Sequence, residues 1–134
     1  MENDILLQEI DHAHLLAKEA LKKKDFKSYA ENFSNDLKYK QLNGLTINKT
    51  KLVNDIAVYF KRVISSSSDY KRITFQVVDD KIIERLVQKS QISLKIFIFF
   101  SKKWTIEREG IYEWEKNNGK WEIIRVEIIK EKVY

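Results

Sequence analysis

Residues 111–124 read IYEWEKNNGKWEII. Tyr112 and Trp114 alternate with Glu113 and Glu115, the period of a strand with one face buried and one wet. Asn117-Asn118-Gly119 then breaks the run, and Asn-Gly is the residue pair that closes tight hairpins. From Trp121 the alternation resumes. This stretch therefore predicts two antiparallel strands joined by a short turn, with three large aromatics on a charged hairpin.

Working outward, the same texture continues in both directions. Alternating segments at 70–78, 81–88, 91–100, 105–116 and 120–130 predict strands, with breaks at Asp79-Asp80 and Ser101-Lys102-Lys103. The run Ser65–Ser68 reads as a loop. Upstream the period changes. Leu6, Ile10, Ala13, Ala17, Ala20 and Leu21 recur at three- and four-residue spacing and predict a helix over 3–24. Asp25 is placed to cap a short helix over 26–33, and Asn48 or Thr50 to cap a third, whose apolar face is Leu52, Val53, Ile56, Tyr59, Phe60 and Val63. Between them, 36–42 alternates, Asn43-Gly44 turns, and 45–47 returns. Helices first and a meander after them predict one α+β domain over residues 1–134, with helices on one face of a mostly antiparallel sheet.

Composition narrows the class. The chain has 134 residues, 43% hydrophobic and 34% charged, which is globular rather than disordered. Its longest apolar run, Ile96–Phe100, is too short to span a bilayer. The acidic start MENDILLQEIDHAH lacks a basic region and a cleavage site, so a cytoplasmic location is expected. Richness in Lys, Ile and Asn fits an AT-rich bacterial genome. There is no cysteine, which excludes disulfides, thiolate chemistry and the usual zinc modules. His12 and His14 diverge by about 200° on a helix and do not share an ion, so neither metal nor cofactor is expected. The net charge is +5, but Lys and Glu are interleaved, which argues against a nucleic-acid surface.

The order of these elements resembles the nuclear-transport-factor-2-like superfamily, which includes SnoaL-like proteins and ketosteroid isomerase. The resemblance rests on ALKKKDFKSYAENFSNDLKYKQLNGLTINKTKLVNDI in the front half and on GIYEWEKNNGKWEIIRVEI in the back half. It implies a cone-shaped (cystatin-like) fold, in which a strongly curved sheet wraps the long first helix and leaves a pocket at its open end. It also implies frequent homodimers through the outer sheet face. It does not carry the isomerase mechanism. The matching positions for the base, the oxyanion tyrosine and the oxyanion aspartate fall on Gln41, on Ala17 and near Gly110 or Ile111. None of these is a carboxylic acid or a tyrosine.

Other residues are candidates for a pocket. Arg108 and Tyr112 share a face of one late strand, Tyr39 and Gln41 of an early one, and His14 lies a turn before Ala17. If Trp121 points inward, unbroken alternation carries Arg125 and Glu127 inward too, unless a bulge resets the phase. An Arg beside a Glu suits a polar or anionic small molecule. The reading is a small-molecule-binding domain. The alternatives are a hydrolase, dehydratase or isomerase using Glu127 with Arg125 or Arg108, and a dimeric interaction module. Phe97 and Phe99, with Ile124, Val126 and Ile128, predict an apolar outer face through which a homodimer forms.

Overall fold

The computed structural model describes residues 2–97 and 100–134, with the backbone alone for Glu2, Ile96 and Phe97. In chain order the elements are α1 (Glu2–Lys22), α2 (Phe26–Ala30), β1 (Phe33–Lys40), β2 (Thr46–Ile47), α3 (Lys49–Tyr59), β3 (Val63–Val78), β4 (Lys81–Phe97), β5 (Phe100–Asn117) and β6 (Lys120–Val133). The six strands form one curved sheet in the order β2-β1-β6-β5-β4-β3. All neighbours are antiparallel except β1 and β6, which run parallel. The α+β cone expected from the chain is the architecture observed.

The local signals act as anticipated. Asp25 accepts from the Ser28 N–H at 3.2 Å and starts α2, and Asn48 accepts from the Lys51 N–H at 2.9 Å and starts α3. The β5–β6 hairpin closes with Asn117 opposite Lys120, so Asn118 and Gly119 form a two-residue loop, at φ 52° and 78°. Left-handed φ at both positions is what such a turn requires. The strands run longer than their side chains advertise. Ser65–Ser68 is part of β3 and pairs with Ser93–Ser90, because a ladder is made by backbone groups that serine supplies as well as valine. Segments 81–88 and 91–97 are one strand, and Ser101-Lys102-Lys103 lies inside β5.

The core lies between α1 and the concave face. It gathers Ile10, Phe33, Leu37, Leu52, Ile82, Leu86, Tyr112, Trp114, Ile123, Val126 and Ile128. Two register shifts along β6 decide which of its residues enter. Trp114 pairs with Ile123 but Glu113 pairs with Arg125, so Ile124 is skipped. Gly110 pairs with Ile128 but Glu109 pairs with Lys130, so Ile129 is skipped. Each bulge inverts the phase. Without the first, Arg125 and Glu127 would face the core and Val126 and Ile128 would face water. Burying each aliphatic side chain is worth about 1.5–3 kcal/mol, and burying an unpaired charge costs several kcal/mol, so the bulged register wins by a wide margin.

Val126 and Ile128 are therefore core residues, 0% and 6% exposed, and not part of an outer face as expected. Ile124 is half-buried beside Arg125, Glu113 and Glu127 on the outer side. Phe99 and the Phe97 side chain lie outside the described residues. Among the described residues no helix is long and apolar enough to cross a membrane.

Gly110 marks where the sheet has no room. A Cβ there would meet the Glu127 carbonyl oxygen, Ile128 Cδ1 and Tyr112 Cε2, each at 3.2 Å. The carbonyl is backbone and the other two are core side chains. Gly110→Ala is expected to lower unfolding stability by about 1–3 kcal/mol, read by urea denaturation; an unchanged midpoint would show that the sheet yields at this point.

Candidate functional site

Strand register carries polar side chains across the concave face. Tyr70 of β3 stands opposite Gln88 of β4, Gln88 opposite Arg108 of β5, and Arg108 opposite Glu131 of β6. The second bulge of β6 is what turns Glu131 inward to meet Arg108. Two rows deeper, past Leu86, Glu84 of β4 lies opposite Phe75 and Tyr112.

Glu84 is completely buried, and every donor it needs comes from another element. His14 of α1 bonds through Nε2 to Oε2 at 2.7 Å, and Trp114 of β5 donates Nε1–H to the same oxygen at 2.7 Å. Arg72 of β3 donates from Nε and Nη2 to Oε1 at 3.0 and 2.8 Å. Nη2 also donates to Asp11 Oδ1 at 2.8 Å, and the Tyr70 hydroxyl donates to that oxygen at 2.5 Å. Asp11 and His14 are three residues apart on α1 and share its inward side. The imidazole is held between the Tyr70 ring, 4.6 Å away, and the Trp114 ring, 5.2 Å away and edge-on.

This network sets proton positions. Burial pushes the Asp11 carboxyl up, but hydrogen bonds from Tyr70 and Arg72 and the Arg72 charge outweigh it and hold it below the ordinary range. Burial, the Asp11 hydrogen bond and the Asp11 charge raise the Tyr70 phenol. Burial alone would weaken the Arg72 guanidinium's hold on its proton, but Asp11 and Glu84 more than reverse that. A carboxylate can only accept, so the imidazole facing Glu84 presents Nε2–H to it. The other ring nitrogen, Nδ1, has no hydrogen-bond partner among the described residues. The His14 side chain as a whole is buried, 8% exposed.

A second polar group lies further along the row. Arg108 donates Nε–H to Glu131 Oε2 at 2.9 Å, with the two side chains 36% and 31% exposed. Burial would lower the Arg108 pKa, but Tyr39 and Glu131 raise it. Burial raises the phenol pKa of Tyr39, with Arg108 opposing, and of Tyr29, Tyr59 and Tyr112 as well. Tyr112 donates its hydroxyl hydrogen to Gln88 Oε1 at 3.2 Å.

The structure thus brings Tyr39, Arg108 and Tyr112 together, and places His14 in the Glu84 network beside them. Gln41 closes the turn after β1, its N–H bonded to the Leu45 carbonyl at 2.9 Å. Arg125 and Glu127 are on the outer side of the sheet because of the bulge at Ile124. There they line a groove with Asp36, Lys38, Lys40, Glu113 and Glu115, and Glu127 lies 3.8 Å from Lys40. Sequence reasoning missed Asp11, Tyr70, Arg72 and Glu84. The signal for Glu84 was present, since in Ile82-Ile83-Glu84-Arg85-Leu86 the carboxylate shares its phase with two core residues.

No protein-family model matches the sequence, and no curated protein matches it. Solved structures do. A candidate scytalone dehydratase from Novosphingobium aromaticivorans superposes with a TM-score of 0.83 and 12% identity, over 98% of this chain and 89% of that one. A type 2 hexachlorocyclohexane dehydrochlorinase gives 0.75 and 13% identity, over 100% and 93%. A candidate dehydratase of the nuclear-transport-factor-2-like family from Streptomyces avermitilis gives 0.74 and 7% identity, over 94% and 97%. At these identities the likeness is one of fold, and the chain has the nuclear-transport-factor-2-like fold.

The Glu84 network makes a sharp demand on stability. Glu84→Ala leaves the Trp114 N–H, the His14 Nε2–H and one side of Arg72 buried without an acceptor. The expected loss is about 3–5 kcal/mol, the range for breaking one side of a buried ion pair. Chemical denaturation measures it, and a loss below about 1 kcal/mol would class the network with surface pairs.

Proposed function

We propose that the chain is a small-molecule-binding domain of the cone fold, taking a polar or anionic organic molecule at the Arg108 end of its concave face. The observation that carries this reading is a guanidinium held inside a curved sheet among Tyr39, Tyr59 and Tyr112, balanced by one carboxylate, with a third of its side chain still open. Its Nε is taken by Glu131, and a planar cation of this kind pairs with a carboxylate or similar anion through its remaining donors. The tyrosines offer faces for an organic body and hydroxyls for its polar groups. The structural neighbours support small-molecule work by their names, dehydratase and dehydrochlorinase.

Titration of a panel of small aromatic carboxylates by calorimetry tests the reading. One or more members is expected to bind wild type, and Arg108→Gln to weaken that binding roughly 10- to 100-fold, the worth of one charged hydrogen bond. Equal binding by Arg108→Gln would remove the proposal.

A second reading is favoured by His14. With Nε2–H directed at Glu84, Nδ1 is the ring nitrogen left to act as a base, and Glu84 orients the ring from its other side. This is the equipment for abstracting a proton from carbon and expelling a group from its neighbour. The enzyme reading that relied on Glu127 with Arg125 gives way to this one, because those residues face outward. Assayed on β-hydroxy ketones, whose dehydration is followed by enone absorbance, wild type is expected to exceed His14→Gln by roughly 100-fold. Equal rates would leave binding as the function.

A further inference from the structure

The sheet ends on β3, a strand of 16 residues whose far side has no neighbouring strand among the described residues. We propose that this edge pairs with the β3 edge of a second copy of the chain, antiparallel and about a two-fold axis through Tyr70. The inference goes beyond ligand binding and does not depend on it.

Three observations lead to it. First, the Tyr70 N–H points away from β4, since it is bonded at 3.0 Å to the Asp69 carboxylate of its own strand. Alternate backbone groups on this stretch therefore project from the edge, which is the template that another strand needs. Second, Tyr70 and Arg72 turn inward to Asp11, so Asp69 and Lys71 both lie on the outer side, where both are exposed. Third, the charges are self-complementary. With Tyr70 opposite its own symmetry mate, Asp69 of each copy stands opposite Lys71 of the other, and the two-fold makes that pair twice. Because Tyr70 takes the hydrogen-bonded position, Asp69 and Lys71 fall at the closer pairing, with Cα atoms about 4.5 Å apart. There opposite charges attract and like charges repel. On pairing, the Tyr70 N–H exchanges Asp69 for the partner's carbonyl, and the released carboxylate meets the lysine. The bulge between Arg72 and Thr74 limits the ladder to the few residues around Tyr70.

This is an isologous contact, closed at two copies, and it differs from pairing through the outer sheet face. Size-exclusion chromatography with light scattering tests it over a concentration series. Wild type is expected to move from 16.0 kDa toward twice that mass as concentration rises. Lys71→Asp leaves the Asp69 bond to Tyr70 in place in the unpaired chain and sets carboxylate against carboxylate twice in the pair, so dimerisation should weaken roughly tenfold. Asp69→Lys should do the same, and the double exchange Asp69→Lys with Lys71→Asp should restore it. Far-ultraviolet circular dichroism checks that each variant is folded. A monomer at every concentration overturns the proposal. So does a dimer that ignores the single reversals, which would place the contact elsewhere, or a double exchange that fails to recover.

Discussion

The structure depends on a carboxylate that has no access to water. Glu84 is 0% exposed, and an ion in that position is tolerable only when its lone pairs are filled by well-placed donors. Those donors come from α1, β3 and β5, so the requirement of one side chain ties three elements to a fourth. Apolar contact alone would not do this. The α1 face carries Ala13, Ala17 and Ala20, small surfaces along which a helix can slide or rotate at little cost. Hydrogen bonds from His14 to Glu84, and from Arg72 to Asp11, select one depth and one rotation of that helix. Polar satisfaction specifies the arrangement, and hydrophobic burial stabilises whatever arrangement has been specified.

The bulges in β6 are the second constraint, and they determine what kind of site the cone can hold. A regular β6 would present Arg125 and Glu127 to the interior in the middle of the sheet, where Val126 and Tyr112 now fill space. By skipping Ile124 the strand keeps its centre apolar, and by skipping Ile129 it becomes polar again at Glu131. The inward charge thus appears beside Arg108 rather than against α1. The cone is consequently graded, with an apolar middle, an ionic network under the helix, and a half-open Arg–Glu pair among tyrosines.

How much of this could be read in the chain follows from the range of the forces involved. The β5–β6 hairpin, the caps at Asp25 and Asn48 and the inward face of β5 depend on neighbours within a few residues, and each is written locally. Tyr39, Arg108 and Tyr112 were legible as a group because alternation and the order of elements align them. The strand phase beyond Trp121 was not legible, because a bulge is a choice between two faces made by the whole sheet. Nor was the Glu84 network, whose members are 70, 30 and 12 residues from Glu84 in sequence. No local pattern states which distant residue will supply a donor. A charge in phase with Ile82 and Leu86 only announces that some donor must exist.

The aromatic hairpin can now be explained in the same terms. Each of its large rings buries an apolar body and ends in a polar atom that finds a partner elsewhere. The Tyr112 hydroxyl reaches Gln88, Trp114 Nε1 reaches Glu84, and Trp121 Nε1 reaches Glu9 of α1 at 2.6 Å. Lys116 adds to the last contact, lying 5.6 Å from the Trp121 ring centre and 3.9 Å from Glu9. The hairpin therefore grips the first half of α1 at Glu9 and, through Glu84, again at His14. Two such points fix the helix against the Trp114 and Trp121 end of the sheet. The row through Gln88, Arg108 and Glu131 lies further along the sheet, between Trp114 and Trp104 of β5. The hold on α1 is thus set at the hairpin end of the sheet, where two indole N–H groups find their carboxylates.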